Sequence, residues 1–281
     1  MDRLHVIKGH GTENDFVIVP DFDGALELTP QLVRALCDRH SGIGADGVLR
    51  VVRSENARGR AAGSAQGPYF MDYRNADGSS AEMCGNGVRV FVRYLQAVGL
   101  VRDSVAVATR GGVKHTWLTD EGDVVVDMGL PRILADRPVA TAAPSLAAIG
   151  VAIELPNPHV VVSVASVAEL KALDLTRPPA IEPERPDGQN VEFVVREGPR
   201  RLRMRVHERG VGETRSCGTG ICAAVVAQPD AQPDGSAWRV EAPGGACQVT
   251  WNTDGAVHLR GPAVLVGEIE LDPTWLDRAA R

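Results

Sequence analysis

The fold of this chain can be worked out from residues 84–98, which read CGNGVRVFVRYLQAV. Its apolar side chains recur at spacings of three and four, at Val88, Phe91, Val92, Leu95 and Val98. That spacing is typical of one face of an amphipathic helix. The Cys-Gly-Asn-Gly that precedes these residues is therefore predicted to lie at the start of the helix.

A second stretch, residues 217–227, reads CGTGICAAVVA and begins with the same Cys-Gly-X-Gly pattern. No polar residue follows from Ile221 to Ala227, so a helix here must be buried on every side. It is predicted to stop before Pro229, in the turn-rich QPDAQPDG segment.

Comparing the chain with itself gives two further matches. The segment from Asn14 (NDFVIV) resembles that from Asn157 (NPHVVV), and the segment from Gly47 (GVLRVV) resembles that from Asn190 (NVEFVV). The offset in numbering is the same for both pairs (157 − 14 and 190 − 47) and slightly smaller for the two cysteine motifs (217 − 84). Three matches in one order predict two similar domains. We place them at residues 1–121, completed by 269–281, and at 122–268.

Short Val-rich runs bounded by Gly, Pro and Asp predict strands in both halves. The runs are Val48–Val52, Val124–Val126, Val160–Val164, Val191–Val195 and Ala263–Val266. Many strands with one main helix per half predict an α+β fold.

Composition limits the function. The 281 residues are 44% hydrophobic and 23% charged, as in soluble globular proteins. The net charge of −6 leaves no overall basic field for nucleic acid. The densest basic stretch, from Arg200 to Arg205, reads as the solvent face of a strand. No secretory or membrane-spanning segment is recognised, so we expect a cytoplasmic protein without a membrane partner.

Five cysteines, an odd number in a long chain, favour reduced thiols over structural disulfides. Cys37, Cys222 and Cys247 are interpreted as small buried residues. Cys84 and Cys217 differ, because a helix start offers unpaired N–H groups and partial positive charge. Such a position binds an anion and is expected to lower a thiol pKa.

Two thiols at two helix starts suit the inversion of a stereocentre. If the halves face each other, both helix starts bind one carboxylate and the thiols flank the carbon beside it. One thiolate then removes a proton from one face while the other thiol returns a proton to the opposite face. The alternative is that Cys84 and Cys217 are also merely buried.

Residues 71–91 (MDYRNADGSSAEMCGNGVRVF) and 207–220 (HERGVGETRSCGTG) resemble diaminopimelate epimerases. HGTENDFV near the N-terminus, and the central NPH and DGQNVEF, resemble the same family. The resemblance implies a cofactor-free homodimer without metal that converts LL-diaminopimelate to the meso isomer for lysine and peptidoglycan synthesis. It also implies two pseudo-symmetric domains, each a curved, mostly antiparallel sheet around a central helix, with the site in the cleft between them.

The same resemblance suggests residue roles. Cys84 and Cys217 match the family's two acid/base residues, and His159 and Glu208 match positions that tune their pKa values. Gly85, Asn86, Gly218 and Thr219 would bind the carboxylate at the reacting centre and Glu208 its ammonium. The distant amino-acid end would be read by Asn75, Asn157, Asn190 and Arg209, with Asn14 lining the site.

Other interpretations remain open at this stage. Arg209 could be a surface residue and His159 a core histidine. Turn residues are the other interpretation of four asparagines, Asn14, Asn75, Asn157 and Asn190. Gly47 replaces a frequent Gln and Pro156 a frequent Gly, which puts substrate contacts at the rim in doubt. Rival functions are a proline or hydroxyproline racemase, a hydrolase using Cys217 and His159, and a redox sensor with a Cys84–Cys217 disulfide.

Overall fold

The computed structural model describes residues 3–57 and 66–279. The chain forms two compact units. Unit 1 comprises Met1–Val126 and Pro262–Arg281, and unit 2 comprises Asp127–Gly261. Elements are numbered in chain order.

Unit 1 is built from eight strands and three α-helices among the described residues. They are β1 (Leu4–Gly11), β2 (Asn14–Pro20), α1 (Pro30–Cys37), β3 (Gly47–Arg53), β4 (Tyr69–Asn75), α2 (Gly85–Ala97), β5 (Ser104–Thr109), β6 (Gly112–Leu118), β7 (Val124–Gly129), β19 (Val264–Leu271) and α5 (Pro273–Ala279). The chain passes into unit 2 within β7.

Unit 2 contains eleven strands and two α-helices, all of them within the described part of the chain. They are β8 (Arg132–Ile133), β9 (Val139–Ala142), β10 (Leu146–Leu155), β11 (Asn157–Ser163), α3 (Val167–Ala172), β12 (Ala180–Glu182), β13 (Asn190–Gly198), β14 (Arg201–Glu208), β15 (Gly212–Thr214), α4 (Gly218–Val226), β16 (Ala237–Ala242), β17 (Gly245–Trp251) and β18 (Val257–Gly261).

Equivalent strands pair in the same register within each of the two units. Phe16 pairs with Gly47 in unit 1, and His159 pairs with Asn190 in unit 2, so both members of the pair shift by the same offset (159 − 16 and 190 − 47). From β4 and β14 onward the smaller offset of the cysteine motifs applies, and the pairs β4–β5 and β14–β16 match at that offset. The sequence repeats therefore mark strands that pair in the same way, and the predicted α+β architecture is confirmed.

Most neighbouring strands are antiparallel, but among the described residues two parallel pairs lie in each unit, and the connection of each pair contains a helix. The pairs are β2–β3 across α1, β4–β5 across α2, β11–β13 across α3 and β14–β16 across α4. Parallel neighbours need a crossover connection, usually a helix, whereas antiparallel ones need only a turn. This topology places α2 and α4 at equivalent positions.

The two units differ in one connection and in one strand pairing. The connection from Arg53 to its strand partner Tyr69 is longer than the connection from Arg196 to Leu202, which accounts for the change to the smaller offset. In addition, β1 pairs with β19 from the C-terminal segment, whereas β10 pairs with β8 from the middle of the chain.

The two predicted helices lie where the sequence places them. α2 packs on β1 to β4 and β19, and every residue of α4 is buried, as its unbroken apolar sequence requires. Val98 is an exception to the predicted stripe, because it lies just beyond α2 and is 46% exposed. Within the described residues no helix is long and apolar enough to cross a bilayer.

Candidate active site

Cys84 is the N-cap of α2. Its backbone is extended (φ −140°), and its Sγ accepts a hydrogen bond from the backbone N–H of Gly87 at 3.4 Å. A side chain at Gly87 would crowd the core, because an added Cβ would lie 3.2 Å from Leu49 Cδ2 and 3.6 Å from Phe16 Cζ. The Cys-Gly-X-Gly pattern thus caps the helix with sulfur and seats its first turn on the sheet.

Asn14 links Cys84 to the body of unit 1. The Cys84 thiol donates to Asn14 Oδ1 at 3.6 Å, and Asn86 Nδ2 donates to the same oxygen at 3.2 Å. Asn14 Nδ2 in turn donates to Asp46 Oδ2 at 2.7 Å. Asp46 therefore fixes which end of the Asn14 amide faces the thiol. Nothing in the local sequence marks this role, because Asp46 lies far from Asn14 along the chain.

Asn75 ends β4 and donates through Nδ2 to Ser79 Oγ at 3.0 Å, a contact within its own turn and not with the Cys84 group. Its strand partner is Gly47. A Cβ at Gly47 would lie 2.5 Å from the Arg74 carbonyl oxygen and 2.7 Å from Tyr73 Cε2. The backbone at position 47 therefore has no room for a side chain.

Cys217 caps α4 in the same way. Its Sγ accepts from the N–H of Gly220 at 3.4 Å and lies 3.4 Å from Thr219 Oγ1. Burial raises the pKa of this thiol well above its ordinary value, and the carboxylates of Glu208 and Glu192 raise it further. The lowered pKa expected from a helix start is wrong for Cys217, because desolvation and two nearby carboxylates outweigh the hydrogen bonds with Thr219 and Gly220.

Glu208 is the last residue of β14 and is held from two sides. The Thr214 hydroxyl and the Cys217 thiol both hydrogen-bond its carboxylate. Burial raises the pKa of Glu208 despite these hydrogen bonds. Thr214 reaches it because β14 and β15 form a hairpin that pairs Glu208 with Gly212.

His159 joins two strands of unit 2. Its Nδ1 lies 2.7 Å from Glu192 Oε1, and its Nε2 lies 3.0 Å from Asn157 Oδ1. The side chains of His159 and Glu192 are fully buried. Sequence reasoning missed Glu192, although an acidic residue inside the apolar run from Val191 to Val195 is an available signal.

Asn190 and Arg209 form the remaining predicted contact group. Asn190 Oδ1 accepts from the backbone N–H of Arg209 at 2.9 Å, and Arg209 Nη1 donates to the Asp187 carbonyl oxygen at 3.0 Å. Asn190 is also the strand partner of His159. The residues predicted for unit 2 are therefore brought together, including Gly218 in the first turn of α4.

The other three cysteines do not lie at the helix starts. Cys37, Cys222 and Cys247 are buried, and burial raises the pKa of Cys37 to about 12. Across residues 3–57 and 66–279 no three His, Cys, Asp or Glu side chains cluster as metal ligands would.

Comparison with known proteins supplies the family. The chain is 52% identical to diaminopimelate epimerase of Streptomyces coelicolor, over 98% of each chain, and 52% identical to that of Thermobifida fusca, over 94% and 97%. A Bacillus anthracis phenazine biosynthesis protein of the PhzF family has the same fold, with a TM-score of 0.72 at 17% identity over 97% and 100% of the two chains. The family model of diaminopimelate epimerase matches residues 6–134 and 151–266. These matches cover both cysteine motifs and nearly the whole of each unit, and the chain belongs to the diaminopimelate epimerase family.

Proposed function

We propose that this chain is an isomerase that converts LL-2,6-diaminopimelate to the meso isomer by two-base chemistry, with Cys84 and Cys217 as the acid/base pair. The observation that carries the proposal is the duplication of one arrangement. Each unit has a cysteine that caps a helix and accepts the N–H of the third helical residue. Inversion at carbon requires two such groups, one for each face.

The environment of Cys217 supports a division of labour. Burial and two neighbouring carboxylates keep its pKa raised, so the thiol stays protonated near neutral pH and is the donor. Cys84 is then the base for the LL substrate. One proton leaves the α-carbon for the sulfur of Cys84, and one passes from the Cys217 thiol to the opposite face. The exchanged protonation states run the reverse reaction.

The helix starts supply the electrostatic part of catalysis. Backbone N–H groups in the first turns, at Gly85, Asn86, Gly218 and Thr219, would bind the carboxylate next to the reacting carbon. Negative charge develops on that carboxylate when the proton leaves, so donors already aimed at it stabilise the transition state.

Glu208 is proposed to bind the ammonium group at the same carbon. Its pKa is raised in the substrate-free protein because the carboxyl is buried. An arriving ammonium favours the ionised form and offsets this cost of burial. The distant amino-acid end would be bound by Asn75, Asn157, Asn190 and Arg209, with Asn14 lining the site.

Proton NMR tests the proposal directly. LL-diaminopimelate in D2O should lose its α-proton signal and yield the meso isomer with the reduced wild-type protein. Cys84→Ser and Cys217→Ser should each abolish most of this exchange. Cys247→Ser, at a buried cysteine outside both helix starts, is the matched control and should retain activity.

No exchange by folded, reduced wild type would refute the substrate assignment, and exchange of proline instead would favour the racemase reading. Mass analysis with and without reductant separates catalysis from a redox function of Cys84 and Cys217. A hydrolase would need only Cys217. We further propose a homodimer in the cytoplasm that serves lysine and peptidoglycan synthesis, and light scattering of the purified protein tests the dimer.

A further inference from the structure

The layer beneath the capped helix differs between the two units. In unit 1, Gly87 lies over Leu49 and Phe16, both fully buried. In unit 2, an added Cβ at Gly220 would lie 2.5 Å from Glu192 Oε1. The shared register makes His159 equivalent to Phe16 and Glu192 equivalent to Leu49. Unit 2 thus has an acid–base pair, His159 and Glu192, at the place in the fold where unit 1 has the apolar pair Phe16 and Leu49.

Such a replacement is costly for stability. Burying a carboxylate and an imidazole removes both from water, and a well-packed apolar pair of similar size is often at least as stable. Glu192 Oε2 is also buried and has no hydrogen-bond partner among the described residues. The pair is therefore better explained by what it does to its neighbours than by what it adds to stability.

The hydrogen bonds of His159 show how the pair acts on its neighbours. Asn157 Oδ1 is an acceptor only, so the His159 nitrogen facing it, Nε2, must carry a proton. The 2.7 Å contact between His159 Nδ1 and Glu192 Oε1 holds one more proton, on either atom. The pair is neutral overall in both forms, and Nε2 is a donor in both.

We propose that Glu192 is a positioning residue, which acts through His159 to keep Nε2–H directed at Asn157 Oδ1. The Asn157 amide is thereby held with Nδ2 available as the donor for a substrate. A donor at this place suits a carboxylate of the distant amino-acid end, and this last step rests on the proposed function. With an apolar residue at position 192, the imidazole would adopt either tautomer and the amide either orientation.

The first test needs neither substrate nor catalysis. In the 15N-histidine-labelled, substrate-free protein, His159 Nε2 should give the signal of a protonated nitrogen. The His159 signals are those missing from the His159→Phe/Glu192→Leu double variant, which copies the Phe16–Leu49 pair of unit 1. An unprotonated Nε2 in His159 would overturn the inference.

The second test separates substrate binding from chemistry. Glu192→Leu should raise KM for diaminopimelate about tenfold, the equivalent of one lost hydrogen bond, with a smaller change in kcat. Glu192→Gln should largely restore KM, because the glutamine amide donates to Nδ1 and keeps the proton on Nε2. Glu197→Gln, on the same strand and bonded to Arg203, is the matched control.

An unchanged KM in Glu192→Leu would overturn the proposal, and so would equal losses in the leucine and glutamine variants. If wild type shows no epimerisation at all, the proposed function fails and the nitrogen signals of His159 alone decide the role of Glu192.

Discussion

Gly87→Ala and Gly220→Ala form a matched pair of perturbations. Each glycine is the third residue of a helix and donates its N–H to the capping cysteine. The added methyl carbon meets different neighbours, at 3.2 Å from Leu49 Cδ2 in one case and 2.5 Å from Glu192 Oε1 in the other. The same substitution in both units therefore tests whether the packing beneath the two helices differs as the structure indicates.

The expected change in the free energy of unfolding differs between the two variants. Alanine gains about 1 kcal/mol over glycine in a helix. At Gly87 the leucine methyl has only to shift by a few tenths of an ångström, so the free energy of unfolding should stay within about 1 kcal/mol of wild type. At Gly220 the carboxylate must retreat much further to reach ordinary contact, which breaks its hydrogen bond to His159. Overpacking costs about 1–3 kcal/mol and the lost bond about 1.5–3 kcal/mol; after the gain of about 1 kcal/mol from helix propensity, Gly220→Ala should lose about 1.5–5 kcal/mol.

Urea unfolding followed by circular dichroism measures this difference, and the epimerisation assay follows each variant in parallel. Gly220→Ala should unfold at lower urea concentration and show a raised KM, whereas Gly87→Ala should match wild type in stability. Equal midpoints for the two variants would refute the argument, because the carboxylate would then not be confined against α4.

Three further predictions follow from other parts of the two sites. Asp46→Ala should lower kcat/KM about tenfold, since it removes the oxygen that accepts from Asn14 Nδ2 and orients the amide; an unchanged kcat/KM would contradict this. Burial alone would raise the pKa of Asp15, but hydrogen bonds from basic side chains lower it to about 2. The stability it contributes is complete above about pH 5 and is lost toward pH 2, so Asp15→Asn should flatten the pH dependence of the urea midpoint in that window. Glu208→Gln should lower the pKa of Cys217 and speed its alkylation by iodoacetamide at pH 9, as followed by mass spectrometry; a slower reaction would show that the charge of Glu208 is not felt by the sulfur.

Local patterns were sufficient for the two main helices and most of the Val-rich strands. A signal for α1 was also present and was not used. Thr29 followed by Pro30 is typical of a helix start, and the Thr29 side chain does cap α1 by accepting the N–H of Leu32. The pairing of Glu192 with His159 could not be predicted in this way, since the two residues are far apart in the chain and meet only through the β11–β13 register.

The direction expected for the pKa shift of Cys217 is wrong for a related reason. The helix start is a local feature and favours the thiolate, and the hydrogen bond from Gly220 does lower the pKa. Burial and the carboxylates of Glu208 and Glu192 are tertiary features and act in the opposite direction. Local sequence predicts the smaller contribution, and only the fold supplies the larger one.

The helices that the two cysteines cap differ at one buried position. Arg89, on the helix that Cys84 caps, is fully buried, and its partners in the described part of the chain are the Thr12 hydroxyl and the Pro262 carbonyl oxygen, neither of them anionic. The equivalent position of α4, counted from its own capping cysteine, is Cys222. In unit 2 the buried carboxylates of Glu208 and Glu192 raise the pKa of Cys217. The proposed two-base epimerisation needs one thiolate and one thiol at the same time, and two identical environments would give neither sulfur a preference. On the proposed function, the buried acidic residues of unit 2 supply that preference by favouring the thiol at Cys217, while the two cysteine motifs stay alike.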